Sequence, residues 1–128
     1  MLAGVHGSES YLKWYSYIEH EQTKEAFSYF VGLAATQPSY TFQPGAHGKV
    51  EDFRFYDKGN QQPFAFTVAK GWLRFYFRPP AVRSDRYSFS EIKSAFDEAE
   101  QHTEDEEWTV PLRSIADVKR LWSILALS

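Results

Sequence analysis

The chain has 128 residues, of which 43% are hydrophobic and 24% charged, with a formal net charge of −3. Those proportions are those of one globular domain and exclude a disordered tail, a fibre or a repeat array. The absence of cysteine removes disulfides, thiolate catalysis and cysteine-based zinc sites, and leaves a reducing cytoplasm as the simplest location.

No apolar run approaches the roughly 18 residues of a membrane helix, and the first residues lack the basic and apolar regions of a secretory signal. Neither a bilayer span nor a signal is therefore expected. Residues 1–9 are small and polar and are expected to be disordered, which leaves a single domain over 10–128. Tyr11, Trp14, Tyr15 and Ile18 then recur at helical spacing. Glu19 to Thr23 interrupts that stripe, and Phe27, Phe30, Val31 and Ala34 resume it. Two short helices are expected, with Thr23 as the N-cap of the second. Residues 36–48 hold Pro38, Pro44, Gly45 and Gly48 and read as a loop.

From Lys49 the period changes to two. Strands are expected over 49–56, 63–69 and 72–78, with a hairpin turn at Asp57-Lys-Gly-Asn60 and another at Lys70-Gly71. Pro79 and Pro80 stop the third strand. Ser88 and Glu91 have capping-box spacing before a helical face of Ile92, Ala95, Phe96 and Ala99. Asp97 to Glu107 then holds seven carboxylates and no Lys or Arg. It reads as a solvated helix end and loop or, functionally, as an acidic docking strip. Glu106 to Arg113 alternates as a fourth strand, which Pro111 assigns to an edge unless the proline points outward. Ser114 caps a last helix with the stripe Ile115, Val118, Leu121, Trp122 and Leu125. The class is α+β: an N-terminal helix pair, a three-strand antiparallel meander, a helix, a fourth edge strand and a C-terminal helix.

The 23 aromatic residues outnumber the 19 Leu, Ile and Val, so the core is expected to pack by large planar rings whose polar atoms seek partners. Motifs for chemistry are largely missing. The seven glycines build no phosphate loop, and the four histidines form no closely spaced pair. Glu19, His20 and Glu21 are consecutive on a helix and diverge, so no metal is expected there. A magnesium nuclease site would need a carboxylate two residues before Lys70, where the chain has Val68, with Thr67 adjacent. No cofactor is expected, and the reading leans away from an enzyme.

One face carries the functional signal. Phe53, Phe55, Phe64, Phe66, Val68, Leu73, Phe75 and Phe77 share the apolar side of the strands, which the C-terminal helices should cover. The opposite side presents Arg54, Tyr56, Trp72, Arg74, Tyr76 and Arg78 beside the small residues Ala65, Thr67 and Ala69. Such a row suits stacked bases and phosphates. Residues 49–93 hold nine Lys and Arg against five Asp and Glu, whereas the remainder holds five against twelve, so the charge is polarised along the chain. Two arrangements stay open: the N-terminal helices lie over this side and turn it into a buried cation–π layer, or they leave it free. If it is free, the expected partner is nucleic acid, with Trp72, Tyr76 and Tyr56 stacking and the arginines meeting phosphate. The alternative is a protein partner engaged through the aromatic patch or the acidic strip, the chain then acting as an accessory or inhibitor of a nucleic-acid enzyme.

The stretches Phe64-Ala-Phe66, Lys70-Gly-Trp72-Leu-Arg74-Phe75-Tyr-Phe77 and Trp108-Thr-Val110-Pro-Leu112-Arg113-Ser114-Ile-Ala-Asp117 resemble small domains encoded beside restriction-type nucleases and other DNA-processing genes. The resemblance spans residues 50–125 with a gap through 79–105 and implies a nucleic-acid or defence context. It carries over no catalytic residue.

Overall fold

The computed structural model describes residues 8–47 and 50–127. Of residues 1–9, expected to be disordered, 1–7 lie outside the described residues, whereas Ser8 and Glu9 open the first helix. Helices α1 (Ser8–Tyr17) and α2 (Glu21–Ala35) come first, followed by strands β1 (Thr41–His47), β2 (Val50–Tyr56), β3 (Phe64–Val68) and β4 (Leu73–Phe77). Helices α3 (Pro79–Arg83) and α4 (Phe89–Ala95), strands β5 (Glu100–His102) and β6 (Glu107–Leu112) and helix α5 (Ile115–Leu125) complete the chain. The strands form one sheet in the order β1-β2-β3-β4-β6-β5, antiparallel throughout. The α+β class and the helix pair ahead of the sheet are as the sequence predicts.

Several local expectations give way to the structure. The segment read as a loop over 36–48 contains β1, which pairs with β2 from Thr41↔Tyr56 to His47↔Val50. An edge strand is hydrogen-bonded on one side only, so it tolerates Pro44. Pro79 and Pro80 stop β4 and also open α3, where the fixed proline φ suits the first helical turn. The acidic segment holds β5, which lies outside β6. It pairs only with Glu107 to Thr109, so Pro111 is beyond its reach and β6 behaves there as an edge. The N-cap of α2 is His20; Thr23 sits inside the helix, buried, and its hydroxyl donates to the Gly71 carbonyl at 3.0 Å. Ser88 makes no capping bond, and α4 ends at Ala95 rather than continuing to Ala99. Ser114 does cap α5, accepting from the Asp117 N–H at 3.2 Å, while Asp117 Oδ2 accepts from the Arg113 N–H at 2.8 Å.

Alternation decides which side of the sheet is core. Phe42, Phe53, Phe55, Phe64, Phe66, Leu73, Phe75, Phe77, Trp108, Val110 and Leu112 are all buried on one side. Against them α2 presses a stripe of Ala26, Phe27, Phe30, Val31 and Ala34. Phe30 is central, its ring centroid 4.7 Å from Phe66, 5.2 Å from Trp122 of α5, 5.9 Å from Phe75 and 6.0 Å from Phe55. Tyr11 of α1 lies 5.1 Å from Phe53, and Phe89 of α4 lies 5.7 Å from Trp108. Helices α1, α2, α4 and α5 therefore share one face of the sheet. The N-terminal helices are not on the arginine-bearing side, so the buried cation–π layer is not formed.

Three predictions follow from this core. Phe30→Ala removes the ring on which α2, the sheet and α5 converge and should cost about 3–5 kcal/mol in urea unfolding. The Tyr11 hydroxyl is buried without a hydrogen-bond partner among the described residues, and burial pushes its ionisation well above the ordinary tyrosine value. Tyr11→Phe deletes that unsatisfied group and should stabilise the fold by about 1 kcal/mol. Burial also raises Tyr87, whose hydroxyl donates to the Leu125 carbonyl at 2.8 Å. A raised folded-state value contributes stability that is complete below the unfolded value, about pH 10, and is lost as pH rises beyond it. Alkaline absorbance titration should therefore show Tyr11 and Tyr87 ionising together with unfolding.

Candidate functional site

The strand registers lay out the uncovered side of the sheet in rows. Gln43 lies opposite Arg54, Arg54 opposite Ala65, Ala65 opposite Tyr76, Tyr76 opposite Thr109, and Thr109 opposite Glu100. The flanking rows carry Asp52, Thr67, Arg74 and Pro111 on one side, and Thr41, Tyr56, Arg78, Glu107 and His102 on the other. Five of the six residues singled out from the sequence thus share this face: Arg54, Tyr56, Arg74, Tyr76 and Arg78. Ala65 and Thr109 are nonetheless buried on this side.

Two of the three arginines are already engaged. Arg54 Nε donates to both Asp52 carboxylate oxygens at 3.2 and 3.0 Å, and its Nη1 donates to Gln62 Oε1. The two charged side chains of this pair are 14% and 9% exposed. Arg78 Nη1 donates to the Gln62 carbonyl at 3.0 Å, and its Nε lies 3.6 Å from Glu107 Oε2. Burial and the neighbouring Arg54 push Arg78 below the ordinary arginine value. Burial likewise lifts Glu107 above the usual carboxylate range, against the pull of Arg78. Both partners move toward neutrality, so desolvation outweighs their attraction and this pair serves to match charge rather than to add stability. Arg74 is exposed and makes no ion pair among the described residues. Arg54, Arg74 and Arg78 are balanced on the same face by Asp52, Glu100 and Glu107, so the expected cationic platform is close to electroneutral.

The acidic segment is likewise partly spoken for. Glu98 meets Arg113 at 2.8 Å, Glu106 pairs with Arg83, and Glu107 faces Arg78. His102 Nε2 lies 3.0 Å from the Thr109 hydroxyl.

Trp72 stands apart from the rows, at the β3–β4 turn and 37% exposed. Leu73 pairs with Leu112, which brings the next residues out, Trp72 and Arg113, side by side. The Arg113 guanidinium lies 6.0 Å from the Trp72 ring centroid. Together they form a ridge between two hollows. The one on the sheet side, of about 140 Å³, is lined by Arg74, Glu98, Glu100, Thr109 and Pro111 besides the ridge. The other, of about 450 Å³, lies toward the α1–α2 junction and is lined by His20, Gln22, Thr23, Lys70 and Gly71 besides the ridge. Arg113, Lys70 and His20 were not among the site residues read from the sequence. Arg113 reaches Trp72 only through the β4–β6 pairing, which spans α3, α4 and β5 and has no local sequence signal.

Among the described residues no group of three His, Asp or Glu side chains could hold a metal ion, and no helix is long and apolar enough to cross a membrane. Comparison with protein-family models, with curated proteins and with solved structures finds no match to this chain.

The buried Arg54–Asp52 pair makes a direct prediction. Asp52→Ala leaves a mostly buried guanidinium held by Gln62 and should cost about 2–3 kcal/mol. The double variant Asp52→Ala, Arg54→Met should recover most of that loss in the same urea titration.

Proposed function

We propose that the chain is a non-enzymatic binding module that receives a protein partner on the uncovered side of its sheet. The observation that supports this reading is the combination on one face of Tyr56, Tyr76 and three arginines, with Trp72 at its margin, left bare by every long helix and with the charge balanced within the face itself. Tyrosine, tryptophan and arginine are the residues that concentrate energy in protein interfaces. A balanced face suits a polypeptide, whose own surface mixes charges, better than a polyphosphate chain, whose affinity derives from displaced counterions. The resemblance of the strands to domains encoded beside nucleases makes a component of a cytoplasmic nucleic-acid-processing or defence system the natural partner. The acidic β5–β6 hairpin then borders the interface and disfavours an acidic partner edge.

Nucleic acid on the same face is the second reading, favoured by Arg74, which makes no ion pair among the described residues and lies beside the exposed Trp72. In that reading Trp72, Tyr76 and Tyr56 stack bases and the arginines meet phosphate.

A photo-crosslinking residue at Tyr76, compared with one at Lys119 on the helical side, separates the outcomes. The protein reading expects one polypeptide crosslinked in cells from position 76 alone and lost when Trp72→Ala or Arg74→Glu is added. Equal crosslinking from both positions would overturn it. Fluorescence anisotropy with labelled single- and double-stranded DNA and RNA at low salt tests the second reading. Saturable binding below about 10 µM that weakens with salt and fails in Arg74→Glu would replace the protein partner by nucleic acid.

A further inference from the structure

The hollow of about 450 Å³ beside Trp72 differs in chemistry from the sheet face and from the smaller hollow across the ridge. The smaller hollow has two carboxylates in its wall, Glu98 and Glu100, whereas the larger has none. Its wall carries instead Lys70, Arg113 and the imidazole of His20, with the amide of Gln22 and the indole of Trp72. The acids that meet these cations come from outside the hollow. Glu19 lies 3.4 Å from Lys70 in a pair more than half exposed on both sides, and Glu98 lies 2.8 Å from Arg113 in a pair about half exposed. Exposed pairs of this kind contribute little, so a ligand anion can compete for both cations at small cost.

The hollow is also braced. Thr23 Oγ1 donates to the Gly71 carbonyl at 3.0 Å and reaches the Arg113 carbonyl at 3.4 Å. The Glu19 N–H donates to the Lys70 carbonyl at 2.9 Å. These bonds fix the α1–α2 junction, the β3–β4 turn and the β6–α5 junction against one another. A Cβ placed on Gly71 would lie 2.9 Å from His20 Cδ2, so glycine is what lets the imidazole lie down on the turn and line the hollow.

We propose that this hollow binds a small planar aromatic ligand carrying a carboxylate or phosphate, the ring stacked on Trp72 and the anion held by Arg113 and Lys70. A flat indole, two cations and a volume of this size match a ring with one charged substituent. Pre-positioned walls limit the ordering cost that such a ligand must overcome. The site shares Trp72 with the partner-binding reading but rests on Lys70 and Arg113, which that reading does not use, and it stands if that reading fails.

Quenching of tryptophan fluorescence, with isothermal titration calorimetry as a second readout, tests the site on the full chain. The probes are adenosine and guanosine 5′-monophosphates, indole-3-carboxylate, uncharged adenosine, and inorganic phosphate. Saturable binding of a charged ring below about 1 mM, at least tenfold tighter than adenosine or phosphate alone, is expected. Preference for the nucleotides over indole-3-carboxylate, or the reverse, identifies phosphate or carboxylate as the anion. Arg113→Met and Lys70→Met should each weaken it about tenfold or more, as loss of a charge-assisted hydrogen bond does. Lys58→Ala, the same charge change in the β2–β3 turn, should leave it unaltered. Trp72→Ala should abolish it, and circular dichroism checks that this variant still folds. No saturable binding of any charged ring at about 5 mM, or binding that survives both Arg113→Met and Lys70→Met, would overturn the proposal.

Discussion

The whole molecule depends on one side of the sheet being aromatic and on α2 filling it. Rings on β1 to β4 present a continuous apolar surface, and Phe30 lies close enough to four of them and to Trp122 to join sheet, N-terminal helix and C-terminal helix in a single packing unit. Rings of this size meet edge to face or offset, with little freedom to slide. That rigidity determines where every other helix can go, because the remaining apolar stripes have only this surface to bury. The opposite side of the sheet is left bare by the same requirement: one set of helices can satisfy one apolar face, and the other face has no apolar set to demand a second layer.

The bare side then has to remain compatible with water while carrying large side chains. It does so through internal charge matching: Asp52 holds Arg54, Glu107 faces Arg78, and Gln62 accepts from both arginines. Their guanidiniums are thereby held by fixed partners rather than left to solvent. A surface so pre-arranged loses little side-chain freedom on meeting a ligand, which favours recognition by shape over attraction at a distance. The exposed Arg74 and Trp72 stand at one margin of it, and the acidic hairpin at another.

Much of this order was legible in the residues. Alternation in β2, β3 and β4 named the two faces correctly, since side chains in an antiparallel strand have only two directions to point. The Ser114–Asp117 cap was also readable, because it is a contact between near neighbours. The misreadings share a physical origin. Pro44 and Gly45 signal a loop in isolation, yet an edge strand needs hydrogen bonds on one side only. Thr23 has the side chain of a cap, but its hydroxyl found carbonyls of Gly71 and Arg113, far away in the chain. Five of the six residues read as a platform do lie on one side of the sheet, but their charge was overvalued, because Asp52 precedes Arg54 by two residues in a strand and therefore shares its side. The Trp72–Arg113 ridge depended on a β4–β6 pairing that no local pattern announces.

The union of α2 with α5 has a temporal side as well. About 80 residues separate the end of α2 at Ala35 from the start of α5 at Ile115, which at ribosomal speed is roughly 4–16 s of synthesis. Throughout that interval Phe27, Phe30 and the rings of the emerging strands have no lid. The nascent chain thus carries its most adhesive surface first and the element that seals it last.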